Sequence, residues 1–386
     1  MFEQTKGGQP QSKQSAGRSA LKADGAGASS LAEILSQPER WKACGTRLQQ
    51  QRALASVCER FGSGKDWLLI GCGSSYYIAL AAAATMVRLT DCRAQAIPAS
   101  ELFLYPEATL ALAMGSMPIL ISRSGRTSEV LRAAELLKSR NIPTVAVTCS
   151  PGQPLEKLAT STICLPDADE KSTVMTRSFS SMLLTLQEMA GTMAEDFEFC
   201  NSLHKMPASA ERVLERLPAQ IDEFVRAHEF ADYVCLGQGP FFGLACEYAL
   251  KVTEMSLSYA QSFHTLEFRH GPKSIVSPET LLVFLISETG YAAEREVLEE
   301  MKSLGGATLV VTNQADGRVR AASDMLVELS LDVPELARLA PSLFAGQLLG
   351  LYTGLHKGLD PDSPRNLSRV VTLKEEQVSE PSQKTG

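Results

Sequence analysis

The chain has 386 residues, 44% of them hydrophobic and 21% charged, with a formal net charge of −7. That length suits two domains with sizeable cores, and the acidic balance argues against nucleic acid as the main partner, because binding a phosphate backbone wants a basic face. Nine cysteines without a C-x-x-C pair and only five histidines supply no zinc pattern, so no metal is expected.

Residues 1–30 are rich in Gly, Ser, Gln and Lys and lack an apolar stretch, which reads as a disordered N terminus rather than a signal peptide or a membrane span. A first α/β unit is expected over 31–200. It has a strand at 67–70, the turn Gly71-Cys72-Gly73 and a helix at 77–88, whose apolar run 78–87 is too short to cross a bilayer. A strand at 117–121, a polar turn at 122–126, a helix at 128–139 and a strand at 143–148 follow. Residues 201–225 read as linking helices, with helical periodicity at 208–217 and 221–227. The same order then returns over 226–374: a strand at 232–236, Gly237-Gln238-Gly239, a helix at 244–256, a strand at 281–286, the turn 287–290, a helix at 293–304 and a strand at 307–312. Residues 375–386 read as a frayed tail. Strands alternating with helices, repeated at a nearly constant offset, predict a duplicated α/β fold: two tandem doubly wound domains with mostly parallel sheets, whose ligand sites lie at the carboxyl ends of the strands. Cys72, Cys164 and Cys235, each in an apolar context, are expected as buried free thiols of a reducing, cytoplasmic compartment.

Two turns of the first unit invite an anion. Ser122-Arg123-Ser124-Gly125-Arg126-Thr127 sets hydroxyls around a glycine at the start of a helix, where free N–H groups and the helix dipole favour negative charge. Arg123 or Arg126 could add a charged donor, whereas the plainer reading is a solvated turn with Ser128 as N-cap. No Gly-Lys-Ser/Thr follows, so this is not a Walker loop, and the Gly71 turn lacks the third glycine of a dinucleotide fingerprint. In the second unit the corresponding turn is Ser287-Glu288-Thr289, where Glu288 would repel phosphate, so phosphate is assigned to the first unit alone.

Glu247, Lys251 and Glu254 lie at i, i+4 and i+7, on one face of a predicted helix. They read either as a solvated ion-pair row or, since Ala249, Leu250 and Val252 are apolar and the helix starts at a strand end, as the wall of a cleft. His270 precedes Gly271-Pro272-Lys273 and on its own is an ordinary loop residue.

Together these motifs resemble the sugar isomerase (SIS) family. Ser122–Thr127 and Gly71-Cys72-Gly73-Ser74-Ser75 are similar to its paired phosphosugar-binding turns, and Lys251-x-x-Glu254…Glu267-x-x-His270-Gly271-Pro272 matches its K-x-x-E…E-x-x-H-G-P pattern in order and spacing. Within the family the pattern is nearest to the isomerase half of glucosamine-6-phosphate synthases and to tagatose/galactosamine-6-phosphate isomerase-deaminases. The resemblance implies that Ser122, Ser124 and Thr127 bind phosphate oxygens, with Ser74, Ser75 and Arg123 lining the pocket. It makes Glu254 the base working at C1 and C2, His270 the ring-opening acid/base, and Glu247 and Lys251 supporting polar residues. It implies a homodimer whose histidine loop enters the neighbouring subunit's site, with no cofactor.

At the position of the synthases' Schiff-base lysine the chain carries Arg369, whose guanidinium stays protonated and cannot act as an amine nucleophile. Residue 2 is Phe rather than the cysteine of a glutaminase domain. An aminohexose-6-phosphate deaminase/isomerase is therefore preferred, with simple aldose–ketose isomerisation beside it. Lys273 in the role of the missing amine, a transaminase-type isomerase without its glutaminase domain, and a non-catalytic sugar-phosphate sensor are the alternatives.

Overall fold

A computed structural model describes residues 25–62, 64 and 66–373. Two five-stranded sheets form its centre. The first is built from β1 (Asp66–Gly71), β2 (Arg93–Pro98), β3 (Met117–Ile121), β4 (Val145–Thr148) and β5 (Ser161–Cys164), in the order β2-β1-β3-β4-β5. The second is built from β6 (Asp232–Gly237), β7 (Tyr259–His264), β8 (Thr280–Leu285), β9 (Ala307–Thr312) and β10 (Met325–Glu328), in the order β7-β6-β8-β9-β10. Every pairing is parallel. The order is the same in both sheets, so each reverses direction once, between its first and third strands, and opens a crevice there. The central strands β1, β3, β4, β6, β8 and β9 are buried nearly throughout, the continuous apolar reading a doubly covered parallel sheet requires.

The duplication reaches the backbone angles. Gly73, after β1, has φ 54° and ψ −128°; Gly239, after β6, has φ 55° and ψ −129°. Both occupy a region that side-chain-bearing residues avoid, which is why each turn carries glycine. Each is the N-cap of a long helix, Ser74–Leu89 in the first unit and Pro240–Ser256 in the second.

These two helices pack against one another and couple the sheets. At Gly243 a Cβ would come within 2.7 Å of the Tyr77 carbonyl oxygen and 2.8 Å of the Ala81 nitrogen, so the backbones touch. Another face of the Pro240–Ser256 helix receives the Phe344–His356 helix through Gly346, Gly350 and Gly354. At each of these a Cβ would fall within 2.6 Å of Tyr248, Lys251 or Met255. The Pro240–Ser256 helix is thus in close contact with both neighbours, through its own Gly243 on one and through the other's glycines, and Tyr248 and Lys251 are fully buried.

The outer strands β2, β5, β7 and β10 had no signal in the sequence reading. Three expectations need correction. Residues 25–30 are ordered rather than loose: Asp360 accepts from the Gly27 N–H at 3.0 Å and Asp362 from the N–H groups of Ser29 and Ser30 at 2.9 and 2.6 Å, and a helix begins at Ala28. The unit boundary at residue 200 falls inside the continuous helix Phe197–Leu214. Of the three thiols, Cys235 is fully buried while Cys72 and Cys164 are half-buried; all nine cysteines are free. Residues 1–24 and 375–386, read as disordered, lie outside the described residues. No described helix is long and apolar enough to cross a membrane, and the described residues contain no cluster of three metal-ligating side chains.

Replacing Gly243 by Ala inserts a methyl into the backbone contact and is expected to cost about 1–3 kcal/mol of stability. Thermal unfolding of the variant and the parent checks this, and an unchanged midpoint would contradict the close-packed seam.

Candidate active site

Four predicted residues converge at the helix seam. Ser74, at the first position of its helix, donates to Glu247 Oε1 at 3.1 Å. Lys251 Nζ lies 3.3 Å from the same Oε1 and 3.5 Å from Ser74 Oγ, and it also donates to Glu254 Oε2. The helical i, i+4, i+7 spacing stacks the three ionic side chains on one face, and that face meets the other domain instead of solvent. The solvated-row reading is therefore set aside: the Lys251 side chain is 1% exposed and that of Glu247 0%, while Glu254 keeps 18% at the open end.

Burial governs the charges. It pushes Glu247 up to about 8, against the opposing pull of Lys251 and with help from Glu254. Burial works against the Lys251 ammonium too, but its two carboxylate neighbours outweigh this and hold its pKa above the ordinary value. Glu247 Oε2 is buried without a hydrogen-bond partner among the described residues.

The turn at 122–127 lies where β3 ends, across the crevice from the Gly71 turn. Its hydroxyls organise the loop: Ser122 Oγ sits 3.3 Å from Thr127 Oγ1 and accepts from the Gly125 N–H, and Ser124 Oγ accepts from the Arg126 N–H. Among the described residues the N–H groups of Arg123, Ser124 and Thr127 have no acceptor. Such unpaired amides at a helix start form an anion cradle. Ser75 is buried beside Ser74, its N–H bonded back to the Cys72 carbonyl.

Arg123 does not extend into this cradle as a free cation. Its guanidinium is 6% exposed and donates to Glu170 at 3.1 Å and to the carbonyls of Val174, Thr173 and Arg369 at 3.1, 2.8 and 3.4 Å. Arg126 is exposed. The sequence reading missed Glu170, which also accepts from the Thr176 and Ser178 N–H groups, and Glu33, which holds Lys171 and Ser172. Both are buried carboxylates; Glu170 lies 47 positions from Arg123 and Glu33 138 from Lys171, so local pattern gave no signal. Arg369 pairs with Asp169, and the segment after it reaches the turn's helix: Ser128 N donates to the Val371 carbonyl and Leu373 N to Ser128 Oγ.

His270 is exposed, and among the described residues its ring makes no hydrogen bond or ion pair, so within one chain it is not bonded to Glu254. Its loop is nonetheless anchored. Phe268 is fully buried, and Arg269 and Lys273 both grip Glu300, at 2.6 and 2.7 Å. Lys273 is thus committed to a carboxylate of its own domain.

A family model described as the SIS domain matches residues 63–190 and 234–348, one stretch for each sheet. The chain belongs to the SIS domain family. An isomerizing glutamine–fructose-6-phosphate aminotransferase of Pyrobaculum aerophilum is 28% identical over 360 residues, which is 89% of this chain and 57% of the relative. The chain spans about half the length of the curated relatives it matches. The solved structure of glucosamine-6-phosphate deaminase from Thermotoga maritima is 29% identical, with a TM-score of 0.70, covering 89% of this chain and all of its own. Tagatose-6-phosphate ketose/aldose isomerase from Escherichia coli, at 22% identity, shares the fold, with a TM-score of 0.77 over 90% of this chain and 96% of its own.

The charge state of this SIS-domain site has a measurable consequence. In the unfolded chain Glu247 releases its proton near 4.5, and in the folded chain only near 8. Between those values the folded state binds the extra proton, so this group's contribution to stability falls as pH rises. Glu247→Gln removes that contribution, and its melting temperature is expected to decline less steeply than the parent's between pH 5 and 8. Parallel curves would contradict the assignment.

Proposed function

We propose that this SIS-domain protein is an aminohexose-6-phosphate deaminase/ketose–aldose isomerase, whose phosphate sits on the 122–127 turn and whose proton transfers are run by Glu254. The observation that carries this is the seam itself: a buried ammonium joins Ser74, beside the phosphate turns, to Glu254 at the open end of the second domain's helix. The similarity to the Thermotoga maritima deaminase supports the choice of substrate class.

In this reading Ser122, Ser124, Thr127 and the free amides hold the phosphate oxygens, while Ser74 and Ser75 line the sugar. His270 moves a proton between O1 and O5 to open the ring, a task suited to imidazole. Glu254 takes the proton from C2 and returns it to C1. As the C2 proton leaves, the substrate's ammonium passes one of its own protons to O1, giving an enolamine; protonation at C1 then leaves C2 as an iminium, which water hydrolyses to the ketose 6-phosphate and ammonia. The substrate brings its own nitrogen, so no enzyme amine is needed, in keeping with Arg369 and with a Lys273 tied to Glu300. Lys251, held beside Glu254, orients the carboxylate.

Ammonia and ketose 6-phosphate release from glucosamine and galactosamine 6-phosphates is the direct assay. Glu254→Gln should lower turnover by about a hundredfold or more while sugar-phosphate binding survives. Release from neither sugar, with turnover of a neutral hexose 6-phosphate, would leave simple isomerisation. Binding without any turnover would favour the sensor.

His270, exposed and without a hydrogen-bond partner among the described residues, supports a homodimer in which this loop completes the partner's site. Chains carrying Glu254→Gln and His270→Ala, each inactive alone, should recover roughly a quarter of parental activity when assembled together, as random pairing leaves one intact site in half the dimers. No recovery in verified mixed dimers would place both residues in one chain's site.

A further inference from the structure

The two repeated turns differ in what fills them. Gly125 donates to Ser122 Oγ at 3.2 Å, and Gly290 donates to Ser287 Oγ at 2.8 Å, so Ser287, Glu288, Thr289 and Gly290 are the counterparts of Ser122, Arg123, Ser124 and Gly125. In the first turn the N–H groups of Arg123 and Ser124 have no acceptor among the described residues. Those of Glu288 and Thr289 both donate to one carboxylate oxygen, Glu335 Oε1, at 2.5 and 3.2 Å. Thr289 Oγ1 donates to the other oxygen at 2.9 Å. Two amides and a hydroxyl converge on this carboxylate as they would on a phosphate oxygen.

We propose that Glu335 is an internal occupant of the second domain's anion cradle, standing where a ligand's phosphate would bind and leaving each chain with a single sugar-phosphate site. The last clause rests on the proposed reading of the first turn. Glu288 is not what bars phosphate: its side chain is turned away to Arg338, at 2.5 Å, which balances its charge. The Glu335 side chain is 10% exposed and lies 3.8 Å from Arg88, at the end of the first-domain helix that begins with Ser74; Arg88 also donates to Thr289 at 3.3 Å. The filled cradle therefore fastens the second domain's turn to the first domain. Glu294, on the other side of the turn, is satisfied by Ser287, and burial raises it to about 7, so it does not contribute a full opposing charge near neutrality. A cavity of about 990 Å³ adjoins the cradle and gives a path to it; its lining is mixed in charge, with Arg88, Lys205 and Arg338 beside Asp196, Glu198 and Asp332.

Selenate, which has the shape of phosphate and an anomalous X-ray signal, tests this in crystals of the full chain. The parent should show no selenate at the Glu288 and Thr289 amides. Glu335→Ala should show one there, as should Glu335→Asp, whose shorter arm draws the carboxylate back if the alanine variant fails to fold. Selenate at those amides in a variant and not in the parent supports the proposal. Its absence there in every variant that folds, or its presence in the parent with Glu335 displaced, overturns it. A peak at Ser122, Ser124 and Thr127 is read separately: if that turn stays empty while the variants fill the second, the reading of the first turn fails and the internal occupant stands.

Discussion

A single ammonium, that of Lys251, organises the centre of this molecule. It is buried between two domains, with Glu247, Glu254 and Ser74 as its oxygen partners. A charge removed from water is tolerated only where partners replace its hydration, so the helices that supply those partners are constrained in register as well as distance. Glycines bring the flanking backbones close: Gly243 lies against Tyr77 and Ala81 of the first domain's helix, and Gly346, Gly350 and Gly354 lie against Tyr248, Lys251 and Met255. Removing one partner would strand a buried charge, which is why the seam is better described as a specification of geometry than as a source of stability.

Duplication supplied two equivalent crevices, and divergence gave their turns different hydrogen-bond partners. The first has amides at the end of β3 that are unpaired among the described residues, with Arg123 withdrawn to brace the loop from Glu170 to Thr176. The second has closed its amides on Glu335 and lends its long helix to the seam. One turn is suited to holding an anion and the other domain to presenting a carboxylate, so a substrate served by both would lie across the boundary between them.

Much of this was legible in the sequence because it is periodic or local. Apolar runs at β1, β3, β4, β6, β8 and β9 marked strands, and the Glu247, Lys251, Glu254 spacing marked a helix face. Outer strands such as β2 and β7 are half-exposed and carry mixed residues, so alternation and hydrophobic runs both failed there. Arg123 was legible as a cation but not as a brace, because Glu170 lies 47 positions away and meets it only through the fold. Glu335 was illegible for the same reason: nothing in Pro334-Glu335-Leu336 marks a side chain that reaches a turn 46 residues earlier. The sequence reading excluded phosphate from the second turn on account of Glu288, a side chain that the fold turns aside to Arg338.

The account's central claim is that the first domain's turn and the second domain's Glu254 act on the same molecule. The most direct measurement is a crystal structure of the Glu254→Gln chain with glucosamine 6-phosphate, which the substitution should leave bound and unreacted. The account predicts phosphate oxygens within hydrogen-bonding distance of the Ser122, Ser124 and Thr127 hydroxyls, with C2 facing residue 254. A sugar phosphate bound at the first turn with its C1–C2 end directed away from that residue, or bound elsewhere altogether, would contradict it.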